Sequence, residues 1–303
     1  MMAGSSFVIC TRNRPEELGR CLATIVQQTV PPEEVVIVDA SDERDEATVR
    51  KILEEHGIRL LYLATQPGRT KQLNLGIRAA TGDPLFFVDD DVELEPQFHE
   101  AMLDALKEGG EEVGGVQGTV IGDTLKPLPL RLFRAVFLLS RHTKNGRARL
   151  LPSGYYTTPA RPTRLREAEA LRLCGLAFRR KVFDEFMFDE SLEGYALKED
   201  VDFSYRVSRR YKLLIVPRAR FRHYKTPSSR ISVREKSRMH IVNNRRLFEK
   251  NLEGTWLQRL AFAWAMCGRV IYELLRTVVK REPGYLLGAI DGIREIARRS
   301  ARA

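Results

Sequence analysis

The 303-residue sequence is poor in cysteine and lacks any long hydrophobic run. Its four cysteines (Cys10, Cys21, Cys174 and Cys267) are scattered, with neither a CxxC pair nor metal-ligand spacing. This usage suits a reducing compartment, and we expect neither a zinc site nor a disulfide framework. No uncharged apolar stretch reaches about 18 residues, so we expect no transmembrane helix. No charged segment followed by an apolar run opens the sequence, so we also expect no signal peptide.

The common phosphate-binding signatures are missing as well. No GxGxxG follows the first predicted strand, and GxxxxGK[ST] does not occur, which argues against a dinucleotide-dependent dehydrogenase and a P-loop NTPase. We find no zinc finger, RNP-type strand or recognition helix, so no nucleic-acid partner is expected despite a net charge of +10. Arg and Lys are concentrated in the second half. This excess fits either a solvated basic face or a surface for an anionic partner.

Short apolar runs alternate with helical spacing in the first third of the chain. The predicted strands cover residues 7–10, 35–38, 58–63, 85–88 and 113–121. Between them, apolar residues recur at intervals of three and four, which indicates helices. Repeated β-α-β units with nearly continuous apolar strands predict an α/β fold, in which a mostly parallel sheet carries helices on both faces.

The second half has a different pattern. Residues 176–178 form a short apolar run, and Val182, Phe183 and Phe186 suggest a helix after it. A second helical segment begins at Glu199. Residues 212–216 are predicted to form a strand that Pro217 ends.

Polar residues follow three of the predicted strands, at positions 11–14, 39–42 and 89–91. Ligands of parallel α/β sheets bind beyond the carboxyl ends of the strands. Asp89, Asp90 and Asp91 would repel one another without a cation, and carboxylate oxygens suit Mg²⁺ or Mn²⁺. In an extended segment Asp89 and Asp91 point the same way and Asp90 the opposite way. From the residues alone, a metal site and a solvated acidic turn before a helix stay equally open.

Two further candidates lie in the second half. Glu199 and Asp200 open a helical segment, where acidic side chains are common as partners of the helix dipole. His223 follows a predicted strand, and a single histidine there fits either a structural or a ligand role. Spacing by itself decides neither case.

Several ordered segments together resemble a known family. SFVICTRNRPEELGRCLATI, EVVIVDASD and FFVDDDVELEP resemble the nucleotide-sugar half of the family 2 glycosyltransferases with the GT-A fold. The segment that begins CGLAFRRKVF and ends PRARFRH is similar to the acceptor half of that family. The resemblance implies a GT-A, Rossmann-like sheet. It also implies an inverting glycosyltransferase that uses a nucleotide-diphosphate sugar in cell-surface polysaccharide or glycolipid synthesis.

The resemblance also assigns roles to residues. It implies that Asp39 contacts the donor base, that Asp89 and Asp91 form the DxD element, and that Asp200 is the catalytic base beside Glu199. The implied ligands of Mn²⁺ or Mg²⁺ are Asp91, Asp89 and His223. The other implied donor-binding residues are Thr11, Arg12, Arg69, Asn74 and Asp90. For Thr11, Arg12 and Arg69 a solvated surface position is the open alternative.

The sequence departs from the family at two places. Where the family often has an Arg-Asn pair after a glycine-led loop, this chain has Leu73-Asn74, with Arg69 and Lys71 nearby. The basic residue that contacts the diphosphate is therefore not fixed by the resemblance. Met187 stands where the family often has glycine.

The expected organisation has three parts. Residues 1–122 form the nucleotide-sugar half, 123–250 the acceptor half with a variable insertion at 123–172, and 251–303 amphipathic C-terminal helices. The insertion fits either a linker with a packing helix or a loop that faces an anionic, lipid-phosphate acceptor. The amphipathic helix at 256–280 fits either packing on the fold or a membrane surface.

The expected partners are a nucleotide-diphosphate sugar, a sugar or lipid-linked acceptor and an anionic membrane surface, at a cytoplasmic location or on the inner face of the plasma membrane. Two other functions stay open. A nucleotidyltransferase could use a similar sheet, but no Gly-rich, Lys-bearing loop follows the first strand. A non-catalytic basic adaptor for membrane or nucleic acid is the other. The intact Asp89, Asp91 and Asp200 argue against it.

Overall fold

The computed structural model describes residues 4–122, 126–140, 142–143, 148–159, 162–172, 174–224 and 231–301, with the backbone alone for 142–143, 158–159 and 300. The predicted insertion at 123–172 therefore lies partly outside the described residues. The chain forms two compact units. The first comprises Met1–Asp123, Arg161–Gly194 and Glu199–Ser229, and the second Thr124–Ala160, Tyr195–Lys198 and Arg230–Ala303.

The described residues of the two units form eleven strands and nine α-helices. The described strands are β1 (Ser6–Thr11), β2 (Glu34–Asp39), β3 (Arg59–Ala64), β4 (Leu85–Asp89), β5 (Val92–Leu94), β6 (Val113–Val120), β7 (His142–Thr143), β8 (Thr158–Pro159), β9 (Arg166–Ala168), β10 (Leu176–Phe178) and β11 (Lys212–His223). The described α-helices are α1 (Pro15–Ile25), α2 (Glu46–Glu54), α3 (Arg69–Ala79), α4 (Phe98–Glu108), α5 (Leu128–Val136), α6 (Glu199–Ser208), α7 (Val233–Asn251), α8 (Trp256–Lys280) and α9 (Gly284–Ser300).

Nine strands of the first unit form one sheet in the order β3-β2-β1-β4-β10-β6-β11-β5, with β9 paired to β11. Strands β1 to β4 run parallel, and β6 is parallel to β11. The short strand β10 lies between β4 and β6 and is antiparallel to both. The mostly parallel sheet confirms the predicted α/β fold.

The core of the first unit explains why the apolar runs become strands. Every residue of β1 and β2 is buried. Phe7 of β1 stacks on Phe86 of β4 with ring centroids 4.7 Å apart, and His99 of α4 meets both rings edge-on. Helix α1 begins with Pro15 in its first turn, where a missing N–H costs nothing. The sheet positions every strand end described below.

Two sequence-based predictions in the second half are wrong in detail. Strand β11 does not end at Pro217 but continues to His223. Its hydrogen-bond ladder with β6 is interrupted between Ile215 and Arg220, and Pro217 lies within that interruption. A proline in that gap breaks no ladder hydrogen bond. The helix predicted around Val182 is a 3-10 helix of five residues, Arg180–Asp184.

The described part of the second unit is mainly helical. Helices α7 and α9 pack closely because Gly288 has no side chain. A side chain at this position would collide with the backbone oxygen of Arg234. Helix α8 begins at a capping box between Thr255 and Gln258. Its bounds confirm the helix predicted from the amphipathic pattern. None of the described helices has the combination of length and apolarity that spanning a bilayer requires.

Candidate active site

The predicted polar residues meet at the carboxyl ends of β1, β2 and β4. The parallel register pairs Thr11 with Asp39 and Cys10 with Asp89. The loops after β1 and β2 are joined by Asn13, which has a left-handed backbone (φ 52°). Its side-chain amide donates to Asp42 at 2.8 Å, and its backbone N–H donates to Ser41 at 2.7 Å. The two loops therefore form one ordered rim.

Asp39 is buried at this rim. One carboxylate oxygen accepts a hydrogen bond from the backbone N–H of Ser41 at 2.7 Å, and the other accepts one from the hydroxyl of Tyr62 on β3. The side-chain amide of Gln72 in α3 donates a hydrogen bond to the backbone oxygen of Val38 at 2.9 Å and so fixes the end of β2. These contacts fix the carboxylate before any ligand binds.

Asp90, the middle member of the acidic triplet, is held by the end of β1 and the loop after it. Its carboxylate accepts hydrogen bonds from the Thr11 hydroxyl and from the Arg14 guanidinium, both at 2.9 Å. Burial raises the pKa of Asp90 to about 6, although Arg14 and Thr11 favour its ionised form. Asp90 therefore organises the loop after β1.

Asp89 and Asp91 converge on His223 at the end of β11. Nε2 of His223 lies 3.0 Å from an oxygen of Asp91 and 3.8 Å from an oxygen of Asp89. The antiparallel pairing of β11 with β5, which sets His223 opposite Val92, brings the histidine to the acidic turn. The three predicted metal-binding residues are thus brought together.

Cys174 joins this cluster. Its sulfur, a carboxylate oxygen of Asp89 and a ring nitrogen of His223 all lie within 4.8 Å of one another. Gly175, with φ of 69°, turns the chain from Cys174 into β10, which is the neighbour of β4. Burial and the carboxylates of Asp89 and Asp91 raise the pKa of the Cys174 thiol well above its ordinary value.

The donor atoms fit a divalent cation. Carboxylate oxygens suit Mg²⁺ and Mn²⁺, while imidazole and thiol groups favour softer transition metals. Asp89, Asp91, His223 and Cys174 can therefore hold a divalent transition metal, with a softer ligand set than the sequence predicts. Spacing gave no sign of Cys174, because only the insertion of β10 beside β4 brings it to the acidic turn.

Arg69 connects the acidic turn with α6. Its guanidinium lies 2.5 Å from Asp89 and 3.9 Å from Glu199. The first turn of α3 is fixed by hydrogen bonds from the Arg69 N–H to the Gly194 oxygen at 3.1 Å and from the Thr70 hydroxyl to the Leu192 oxygen at 3.2 Å. Arg69 is therefore a positioned cation at the site.

Glu199 and Asp200 form the first turn of α6. Burial, together with the charge of Asp200, raises the pKa of Glu199 well above its ordinary value of 4.5. The Asp200 carboxylate accepts a hydrogen bond from the Val201 N–H at 2.7 Å, at the helix end where a negative charge is favoured. The two neighbouring acids therefore have unlike environments, and Glu199 keeps its proton to a higher pH than an ordinary glutamate.

Two predicted donor-binding residues are placed differently. The Arg12 side chain is exposed beyond β1. Asn74 is buried in α3, and its amide bonds to the backbone N–H and oxygen of Phe188 at 3.0 and 2.9 Å and to Glu190 at 2.8 Å. Asn74 thus fixes the segment after the 3-10 helix. The sequence did not single out four other side chains that contact or lie beside the candidate residues: Arg14, Tyr62, Gln72 and Cys174.

Comparison with known proteins gives a relative of similar sequence. A Bacillus subtilis (strain 168) protein, Uncharacterized glycosyltransferase YwdF, is 31% identical over 102 residues, which are 34% of this chain and 38% of that protein. The match therefore spans less than half of the relative's length.

Two solved structures are similar in fold. Mannosyltransferase PcManGT from Pyrobaculum calidifontis, in complex with GDP-Man and Mn²⁺, has a TM-score of 0.57 at 16% identity, and the match covers 97% of this chain and 88% of that one. GalNAc-T7 with UDP, GalNAc and Mn²⁺ has a TM-score of 0.56 at 16% identity, covering 93% and 58%. At such identities the likeness concerns the fold alone, and it confirms the GT-A fold.

The family profile described as Glycosyl transferase family 2 matches residues 6–185, which is more than half of the chain. The matched residues include the strand ends at Thr11, Asp39 and Asp89. The chain therefore belongs to glycosyl transferase family 2.

Proposed function

We propose that the protein is a divalent-cation-dependent, inverting glycosyltransferase that moves a sugar from a nucleotide-diphosphate sugar to an acceptor hydroxyl. The observation that carries this proposal is the convergence of Asp89, Asp91 and His223 at the strand ends, with Arg69 linking Asp89 to Glu199, the neighbour of Asp200 in α6. A cation site and a carboxylate base are the two chemical parts that such a transfer needs.

The donor nucleotide is proposed to bind along the rim formed by the loops after β1 and β2. Asp39, held by Ser41 and Tyr62, is a rigid acceptor for N–H groups of a base. Arg69 is proposed to contact the diphosphate, because its guanidinium lies beside Asp89 of the proposed cation site. Thr11 and Asp90 support the rim through their hydrogen bond, Asn74 holds the segment at Phe188 and Glu190, and the exposed Arg12 is proposed to meet the donor from solvent.

The cation, Mn²⁺ or Mg²⁺, is proposed to be held by the DxD residues Asp89 and Asp91 with His223, and Cys174 lies within reach. When bound, it neutralises negative charge on the diphosphate leaving group. The relatives in the fold comparison carry Mn²⁺ with UDP or GDP-Man, which supports a nucleotide-sugar donor.

Asp200 is the proposed base. It accepts the proton of the acceptor hydroxyl while that oxygen attacks the anomeric carbon, and the bond from this carbon to the diphosphate oxygen breaks. One displacement inverts the anomeric configuration. The raised pKa of Glu199 favours its neutral form more than in an ordinary glutamate, which supports Asp200 over Glu199 as the carboxylate that accepts the proton.

The acceptor is proposed to be a sugar or a lipid-linked sugar in cell-surface polysaccharide or glycolipid synthesis, at the cytoplasmic face of a membrane. The excess of basic residues in the second half supports an acceptor or a surface that carries phosphate groups.

A panel of nucleotide sugars with Mn²⁺ or Mg²⁺ tests the proposal by thermal stabilisation, repeated with EDTA. We expect one donor to raise the melting temperature only with a cation. NMR of the reaction product then gives the anomeric configuration, which should be opposite to that of the donor. Pyrophosphate release would instead indicate a nucleotidyltransferase, and a lack of stabilisation by every nucleotide sugar would indicate a non-catalytic adaptor.

A further inference from the structure

Helix α8 of the second unit exposes an apolar stripe along its whole length. Trp256, Leu260 and Trp264 are 69%, 60% and 48% exposed, and Leu275 and Val278 continue the stripe at 50% and 68%. With Ile271, which is 39% exposed, successive members are separated by four, seven or three residues, and this spacing places them on one side of the helix. At 1.5 Å per residue the stripe is roughly 35 Å long. Single exposed apolar residues are ordinary on soluble proteins, but a continuous stripe of this length is not.

Helix α5 of the same unit adds a second stripe. Leu128, Leu132 and Val136 recur every four residues, each is about 60% exposed, and none of the residues of α5 is buried. The Trp264 indole N–H donates to the Val136 backbone oxygen at 2.8 Å, and the ring of Phe137 stacks on that of Trp264. The two stripes therefore adjoin. We call the exposed apolar side chains of α5 and α8 the α5–α8 face.

The exposed charges of these two helices are all positive. Helix α5 contains no acidic residue, and the single acid of α8, Glu273, is fully buried in ion pairs with Arg269 and Arg276. The exposed charged residues within α8 are Arg259 and Lys280, one near each end of the stripe. The face thus presents apolar surface between positive charges and offers no exposed negative charge of its own.

We propose that the α5–α8 face binds in the plane of a bilayer surface that contains anionic lipids. Apolar side chains enter the boundary of the acyl chains, the two tryptophans sit at the headgroup level, and Arg259 and Lys280 contact lipid phosphates. A second copy of the chain fits less well, because two such faces would bring the basic ends of α8 together, and neither α5 nor α8 contributes an exposed acid to pair with them. This inference specifies the membrane partner of the proposed function but does not depend on sugar transfer.

Co-sedimentation with vesicles tests the proposal on the full chain. Vesicles of phosphatidylcholine alone are compared with vesicles that also contain phosphatidylglycerol, at low and high salt. We expect binding to the anionic vesicles at low salt and release at high salt, because screening weakens the contribution of the basic residues. No binding to anionic vesicles at low salt would overturn the proposal.

Two variants locate the surface. Leu260→Glu with Leu275→Glu adds charge to the α5–α8 face, and Leu165→Glu adds it at a similarly exposed leucine outside that face. We expect the first variant to lose at least about tenfold in vesicle affinity and the second to bind as the unaltered protein does. Equal binding by both variants would overturn the assignment of the face. A dimer that the first variant dissociates, without vesicle binding by the unaltered protein, would assign the face to a second copy instead.

Unchanged circular dichroism and unchanged donor-induced stabilisation in both variants would show that the fold and the nucleotide site are intact. Loss of vesicle binding with donor binding retained therefore concerns the face alone. Conversely, vesicle binding by a protein that binds no nucleotide sugar would overturn the proposed function and leave the membrane proposal standing.

Discussion

Nε2 of His223 lies 3.0 Å from a carboxylate oxygen of Asp91, although one residue ends β11 and the other lies in the turn between β4 and β5. The pairing of β11 with β5 produces this contact, so the order of the strands determines which side chains reach the acidic turn. A histidine at this point changes an acidic turn into a mixed nitrogen and oxygen site.

The first prediction concerns this contact. His223→Ala should weaken Mn²⁺ binding in the presence of a nucleoside diphosphate by at least about tenfold, because the cation loses a nitrogen ligand. Titration calorimetry measures the affinity. His56→Ala, which removes an exposed histidine beyond α2, is the matched control and should leave it unchanged. Equal affinities for both variants would remove His223 from the metal site.

The second prediction separates the two acids of α6. Asp200→Asn should lower sugar transfer by about 10²–10⁴-fold while donor affinity stays nearly the same, because the amide keeps the shape of the carboxylate but accepts no proton. Glu199→Gln, which mimics the protonated side chain favoured by the raised pKa of Glu199, should retain most of the transfer. Asp91→Ala should instead weaken donor binding first.

Single-turnover rates and donor affinities measure these three variants. Loss of transfer in Glu199→Gln with activity retained in Asp200→Asn would make Glu199 the base. Loss of donor binding in Asp200→Asn would mean that Asp200 holds the donor or the local fold.

The third prediction concerns metal preference. Cys174→Ser should lower the affinity for Cd²⁺ much more than that for Mn²⁺, because a thiolate is a strong ligand for soft cations and a weak one for hard cations. Competition titrations measure both affinities, and ultraviolet absorption reports a cadmium–thiolate bond directly. Cys267→Ser removes an exposed cysteine of α8 and serves as the control. If both variants keep the Cd²⁺ affinity, Cys174 is not a ligand.

The fourth prediction concerns pH. Burial lowers the pKa of His99 from its ordinary value of 6.5 to about 4, while its ring is held by Ser5 and by the Val30 oxygen. The folded protein binds this proton more weakly than the unfolded chain, so stability is complete above pH 6.5 and is lost as the pH falls towards 4. The loss amounts to roughly 3 kcal/mol from this residue.

Denaturant unfolding at several pH values tests this, with His99→Gln as the variant that cannot titrate. The raised pKa of Asp90 acts in the opposite direction, because its folded form takes up a proton below about pH 6. Both proteins keep Asp90, so the difference between their pH profiles isolates His99. Parallel profiles would show that His99 is not buried in its neutral form.

Local patterns were sufficient for β1 to β4, for β6 and for the acidic triplet, because a buried parallel strand needs an almost unbroken apolar run and its polar end is then visible. They also predicted α8 to its terminal residues. They could not predict that β11 continues past Pro217, since the effect of a proline depends on whether a neighbouring strand needs its N–H.

The sequence predicted only some of the residues at the candidate site, because others reach it through tertiary contacts. Arg14 and Cys174 reach the carboxylates through tertiary contacts, and neither belongs to a spacing pattern. Asn74 shows the converse. Its position in the sequence suggested a donor contact, but its buried amide is used by the backbone of Phe188. Side-chain direction, which sequence spacing does not give, separates these cases.

The basic side chains beside the acidic turn have a consequence for how the protein is made. Arg14 pairs with Asp90 and approaches Asp91, and Arg69 pairs with Asp89. Guanidinium groups thus balance the carboxylates within the chain itself, so the strand ends can assemble before any ion arrives. Small zinc domains, by contrast, stay unfolded until their metal binds. The chain is therefore expected to fold without a divalent cation, so a cation that binds at the acidic turn would enter a site that is already formed.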